Sequence, residues 1–369
     1  MRQVPVALCC LAFAALGPAR AAPFPVDDPE VAAMGGAGTA LTSRLTPLVN
    51  PALLALTDQR PDIHLAVPFG RWGRSPDGTL SDPLDRFQGA AGEFESAPSA
   101  ASRQAALQAR ADLAEPLAVR RIQLGGVIAL PNLPVSLGAF SVGRYLETKG
   151  VILGDQADLS DPANPNYDAR LVKQAYSTVD TGALLAKVIH QGSSGGSNRL
   201  AVGIAPKLQL VRTYYGSRDA RQGRVGQIGH GTVDEAALNL DVGLVQEFRY
   251  IWKAALTARN LIPQRIAWTD DSVPALRLGP QVRAGLARRG PRWRWAADVD
   301  VTVNGAMGLT ERSRYVGTGL AWLANDYLTL RAGAYRNLVG REETGVTAGL
   351  GIGTKFVSLD LAVAHDDLA

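Results

Sequence analysis

Few residues of this chain could carry catalytic or metal chemistry, and their spacing argues against it. The four histidines are His64, His190, His230 and His365. No two stand at metal-ligand spacing, and none neighbours a carboxylate-rich motif. Cys9 and Cys10 both fall in an apolar N-terminal run. Arg2 gives that run a positive start, Val4 to Leu16 is mostly apolar, and Ala19-Arg20-Ala21 fits a small-residue cleavage motif. Residues 1–21 therefore read as a cleaved signal peptide, which leaves a mature chain without thiol or disulfide chemistry. Met34-Gly35-Gly36-Ala37-Gly38 invites a phosphate-loop reading, but no strand precedes it and no Lys-Ser/Thr pair follows. Glycines there suit a tight backbone path in a cramped space. Ser193-Ser194-Gly195-Gly196-Ser197 could offer a hydroxyl nucleophile, yet it fits a flexible turn better. No catalytic residue, cofactor or metal ion is expected, and the chain is read as a non-enzyme.

The elements around these residues are strands. From Leu276 to Ala364 about six segments of roughly ten residues alternate apolar with polar. Val357, Leu359, Leu361 and Val363 share one face, with Ser358, Asp360 and Ala362 between them. Trp293, Trp295, Ala297, Val299 and Val301 share another, separated by Arg294, Ala296, Asp298 and Asp300. A period of two means extended strands with two unlike faces. A transmembrane β-barrel and a soluble β-sandwich both show it. The connections decide between them. About thirteen strands are predicted between residues 63 and 364, and long connections (70–118, 147–170, 215–235, 261–275) alternate with short ones (131–134, Arg249, Arg288–Pro291, Thr354-Lys355). That parity fits long outer loops and short periplasmic turns. Phe248, Tyr250, Trp252, Trp293, Trp295, Trp322, Tyr327 and Phe356 fall near the short-turn ends. Tyr145, Tyr214, Tyr215, Trp268, Tyr315 and Tyr335 fall near the long-loop ends. Two aromatic bands suit two membrane interfaces.

Composition agrees. Mean hydropathy is +0.01, too polar for a helical membrane protein and ordinary for a barrel with a polar interior. Losing Arg2 and Arg20 with the signal takes the net charge from +4 to +2, so the basic pI marks no nucleic-acid partner. The expected organisation is a signal peptide at 1–21, a hatch at 22–60, and a barrel at 61–369. A helical insertion is expected at about 83–115, with Leu84, Phe87, Ala91 and Phe94 on one face.

Residues 31–56 resemble the N-terminal hatch of the long-chain fatty-acid (FadL-type) transporter superfamily: a glycine-rich stretch, then Asn50-Pro51-Ala52. The remainder is more similar to the TraF-like conjugal transfer outer-membrane proteins. The matching stretches are 84–114, Gly126–Asn132, Val202–Gln209, Leu256–Pro263, Pro280–Gly285 and Leu330–Gly333. The resemblance implies an all-β, 14-stranded antiparallel barrel with its N-terminus in the lumen, and a link to conjugation. Its hatch motif here is Gly35, Gly36, Gly38, Asn50, Pro51 and Ala52.

Arg277, Arg283, Arg294, Asp298, Asp300, Arg331 and Asp360 are expected to face inward, either as a polar path for a solute or as paired charges filling a closed lumen. Two functions follow. One is a structural or surface-interaction role in plasmid transfer, with the conjugation apparatus as partner. The other is passive transport of a hydrophobic or amphipathic small molecule. Either needs outer-membrane lipid and the barrel assembly machinery of a Gram-negative cell. The thirteenth strand, Phe356–Ala364, is expected to end outside with His365–Ala369 opening an outer loop. A fourteenth, closing strand is expected to be missing.

Overall fold

The computed structural model describes residues 26–56, 64–67, 69–74, 78–114, 117–130, 134–192, 198–229, 231–249, 251–305, 309, 311–340, 343–354 and 358–368. The signal segment and the Ser193–Ser197 run lie outside these residues. The chain is an antiparallel transmembrane β-barrel with a hatch in its lumen. β1 (His64–Ala66) and β2 (Phe69–Arg74) both pair with β3 (Ala118–Leu130) and act as one interrupted strand. The sheet continues through β4 (Ser136–Leu153), β5 (Ala169–Gln191), β6 (Asn198–Asp219), β7 (Gly231–Phe248) and β8 (Trp252–Arg259). A separate hairpin follows, β9 (Gln264–Ile266) with β10 (Leu276–Leu278). The wall then resumes with β11 (Gln281–Arg289), β12 (Trp293–Asp300), β13 (Tyr315–Leu323), β14 (Leu328–Asn337), β15 (Glu343–Gly353) and β16 (Ser358–Leu368).

Each wall strand pairs with its successor in the wall. The alternation read from the sequence is therefore the alternation of the wall. Leu359, Leu361, Val301 and Leu320 are half exposed on the outer face, while Asp298, Asp300 and Arg331 are buried on the inner one. An apolar outer face around a charged interior is stable where lipid, not water, bathes the outside.

The strand lengths differ from expectation. β4 to β7 run 18, 23, 22 and 18 residues, about twice what a bilayer crossing needs. Their upper halves form a ribbon beyond the membrane, so the predicted loop 147–170 shortens to a small excursion. Leu276 and Arg277, expected to open the first of the alternating segments, belong instead to the hairpin, and Gly279-Pro280 separates it from β11. His365 continues β16 opposite Val346 instead of opening a loop.

Two helices cap the ribbon: α2 (Gly78–Ser96) and α3 (Ala100–Ala111). The hatch carries the short α1 (Pro29–Ala33). Helix α2 starts earlier than predicted because Leu80 is fully buried in its first turn. Ser99 caps α3 through a capping box with Ser102. Leu80, Leu84, Phe87, Ala91 and Phe94 pack on Leu159, Tyr167, Leu171, Val225 and Ile228, which joins three outer connections into one apolar cluster. Phe87 and Tyr167 meet edge to face at 5.3 Å.

Candidate functional site

The lumen is filled in stacked layers. The lowest is the hatch. Asp28 caps α1 by accepting from the Glu30 amide at 2.8 Å, and Ser43 Oγ also donates to it. The chain then turns at Gly35 (φ 67°) and Gly36 (φ 79°), where a side chain would be strained. Thr347 of β15 holds this turn: the Gly35 amide donates to its Oγ1, which donates to the Ala33 carbonyl, both at 2.9 Å. Asp298 of β12 accepts from the amides of Gly38 and Thr39 and from the Thr39 hydroxyl. Asn50 is fully buried; its Nδ2 donates to the Thr39 carbonyl at 3.0 Å, and its Oδ1 accepts from the Ala52 amide at 3.1 Å. Pro51 opens the 3-10 helix Pro51–Leu56, which lies against β5, β6 and β7.

The wall accommodates the hatch with glycine. A Cβ on Gly319 or Gly333 would fall 2.4 Å from Met34 Cα or the Met34 carbonyl carbon. One on Gly203 would fall 2.3 Å from the Ala52 amide nitrogen. These contacts are with backbone, which cannot swing aside. The hatch reaches β16 on one side, through α1, and Val127 and Ala129 of β3 on the other, through Leu48 and Leu54. The sheet thus curls around one plug.

Above the hatch lies a buried charge layer. Asp27 takes the Arg144 guanidinium, with Nε to Oδ1 at 2.7 Å. Arg144 Nη1 also reaches Asp180 at 2.8 Å. Lys207 Nζ lies 2.9 Å from Asp241 and 3.4 Å from Asp180, and donates to Asn260 Oδ1 at 2.8 Å. Arg259 lies 3.4 Å from Asp241 and 3.9 Å from Asp27. Three carboxylates meet three cations across β4, β5, β6, β7, β8 and the hatch. Such a layer is costly to desolvate and costlier to break. Burial pushes the Asp27 carboxyl up, and Arg144 beside it overrides this and holds it below the usual carboxylate value. Burial and then the neighbouring Glu30 raise Asp28 to about 7.

The third layer is the hairpin. Ile266, Trp268, Leu276 and Leu278 pack on the inward Leu146 and Val211, and Thr213 Oγ1 donates to the Ala267 carbonyl at 2.9 Å. This outer connection therefore folds into the barrel mouth.

Of the seven predicted lumen charges, six lie on the inner wall. Arg283 pairs with Asp300 at 2.6 Å and donates to the Gly36 carbonyl at 3.2 Å. Glu30 of the hatch receives Arg294 at 2.8 Å and Arg331 at 3.4 Å, and Arg331 also holds Asp360 at 2.7 Å. Arg277 differs: it sits exposed on β10. Trp268 likewise leaves the predicted outer aromatic band for the hairpin core, and Tyr315 and Tyr335 meet edge to face at 5.7 Å at inward positions. Tyr145 and Tyr214 do meet at the predicted outer level, 6.0 Å apart. Among the described residues no cluster of His, Cys, Asp or Glu could hold a metal ion.

Residues 47–300 match the family model described as the F plasmid transfer operon TraF protein. The chain belongs to this family. No curated protein matches it in sequence. Among solved structures it is similar to a TodX monoaromatic hydrocarbon channel mutant (14% identity, TM-score 0.48, 90% of this chain and 91% of that one). It is also similar to the siderophore receptor PiuA from Acinetobacter baumannii (9% identity, TM-score 0.31, 68% and 47%) and the RagAB peptide transporter (12% identity, TM-score 0.32, 68% and 37%).

The middle layer of charge is the part that sequence reasoning missed. The signal was present. Arg144, Asp180, Lys207, Asp241 and Arg259 all stand at inward positions of the alternation, on the same faces as Phe140, Val142, Leu184, Val211 and Val245.

Proposed function

We propose that this chain is a plugged outer-membrane barrel with a structural and surface-directed role in conjugative plasmid transfer. The layers that fill the lumen among the described residues support this reading most. Hatch, charge layer and inward hairpin follow one another along the axis, and the helical lid stands above them. A passive path for hydrophobic solutes would need an apolar groove from that lid to Asn50. One cavity beside the hatch has about 10 Å³, room for about one water, and Arg144, Asp241 and Arg259 line it with Leu48 and Phe140. The family's description supports the link to plasmid transfer. In this reading residues 1–21 direct export and are removed, residues 22–60 are the hatch, and 61–369 form the barrel. The assembly machinery inserts it, and α2 and α3 offer the outer surface to the conjugation apparatus. The reading needs no chemistry from the chain, only a rigid mount.

The test is a plasmid-bearing donor from which the gene is deleted. Transfer frequency should fall and return with the full chain. A chain carrying Asp85→Arg, Arg86→Glu and Glu93→Arg, three exposed positions of α2, should fold yet fail to restore it. Unchanged transfer in the deletion strain would overturn the proposal.

A further inference from the structure

The two neighbouring short turns beneath β8 and β11 carry an unusual combination. Their residues are Phe248–Trp252 and Arg288–Trp293, and they contain Arg249, Arg288, Arg289 and Arg292 with no acid. β8 pairs with β11, and β11 with β12, so the turns sit side by side. Glu247, the nearest carboxylate in sequence, is buried on the inner face, where Arg199 and Lys253 take it.

Arg288 is the centre. It stands at an outward position, in register with Trp252 on one side and Trp295 on the other. Its guanidinium lies 5.1 Å from the ring centroids of both Trp252 and Trp293. It forms no ion pair among the described residues, and its residue is exposed. Below it, Arg249 and Arg292 are exposed on the turns, and Leu286 and Trp322 are exposed on the wall above and beside it. A cation on a lipid-facing wall is expensive unless something anionic meets it. Stacking on ring faces holds a guanidinium while leaving its in-plane N–H donors available. Those donors match a phosphate diester. An aromatic girdle alone orders rings at the interface and selects no headgroup; the arginines add the selection.

We propose that this patch docks the headgroups of anionic phospholipids in the periplasmic leaflet, with Arg288 as the stacked anchor and Arg249 and Arg292 as flanking charges. The proposal rests on the membrane-barrel reading, and the experiment separates the two. Trp252, Trp293, Trp295 and Trp322 are four of the six tryptophans, so intrinsic fluorescence reports on the patch.

The full mature chain is reconstituted in phosphatidylcholine vesicles doped with brominated phosphatidylglycerol or, at equal mole fraction, brominated phosphatidylcholine. Brominated phosphatidylglycerol should quench more. The excess should fall about fivefold for each arginine neutralised in Arg249→Gln, Arg288→Gln and Arg292→Gln combined. Heat-modifiable migration checks that the variant folds. Should it fail, Arg288→Lys alone keeps the charge, loses the stacking, and should lower the excess without abolishing it. Equal quenching by both lipids, or an excess unchanged in the variants, overturns the proposal while leaving the barrel standing. Loss of the excess on adding inorganic phosphate at constant ionic strength overturns it in favour of a soluble anion. Quenching by neither lipid overturns the proposal and the barrel together.

Discussion

Adding one methyl group to the inner wall should undock the hatch without unfolding the barrel. Gly319 and Gly333 face each other across the β13–β14 ladder and both face Met34. A Cβ on Gly319 would lie 2.4 Å from Met34 Cα and 2.5 Å from Met34 Cβ. One on Gly333 would lie 2.3 Å from the Gly35 amide nitrogen. Met34 is fully buried, and Gly35 is itself pressed against the Ala334 and Thr318 carbonyls. Nothing in this stack can rotate out of the way, so the hatch must move by about 1 Å or leave. Overpacking of this kind costs about 1–3 kcal/mol. The wall is spared, because β13 and β14 keep their ladders with each other and with β12 and β15. Amide exchange in residues 31–41 of Gly319→Ala should accelerate roughly 5- to 150-fold. Protection in β13 and β14 should hold. Gly126→Ala is the control, since a Cβ there meets nothing within 4 Å. Equal acceleration in both variants, or none in Gly319→Ala, would refute the argument that the wall glycines seat the plug.

Asp180→Ala should destabilise the folded barrel by about 3–5 kcal/mol, because Arg144 and Lys207 lose a shared partner in a desolvated layer. In urea titrations in lipid vesicles, the double variant with Lys207→Ala should cost less than the sum of the singles; strict additivity would contradict the layer. Leu361→Arg, on the half-exposed outer face, should cost about 2–4 kcal/mol. Leu338→Arg, exposed in an outer connection, should stay within roughly 0.5 kcal/mol, and equal effects would mean the outer face is not in lipid. Asp28, raised from 3.8 to about 7 by burial and Glu30, keeps a proton in the docked hatch that the free segment releases. Docking should therefore weaken as pH rises from 3.8 to about 7 and level off above. Exchange rates in α1, corrected for intrinsic pH dependence, should show this, and Asp28→Asn should flatten it.

The wall was legible because its signal is local. Val299, Val301, Leu359 and Leu361 alternate with Asp298, Asp300, Ser358 and Asp360, and a period of two survives in any antiparallel barrel. The hatch motif was legible as a cramped backbone path, because Gly35 and Gly36 need positive φ whatever surrounds them. What could not be read is what each inward charge meets. Glu30 in the hatch takes Arg294 and shares Arg331 with Asp360 of β16, and the hatch pairings span most of the chain. Asp180 and Lys207 are likewise joined only by register and curvature. The inward hairpin was unreadable for a further reason. Trp268 has the amphipathic ring of an interface residue, yet its Nε1 donates to the Pro274 carbonyl at 3.0 Å inside its own loop. The same ring chemistry serves both places, and only tertiary packing chooses.

The claim that the lumen is closed is tested most directly by single-channel recording from the refolded chain in a planar bilayer. With hatch, charge layer and hairpin in place, inserted molecules should show no stable conductance steps, and in-frame deletion of Ala32–Leu54 should increase ionic leak. Reproducible ohmic pores from the intact chain, at the same voltage and salt, would contradict the account.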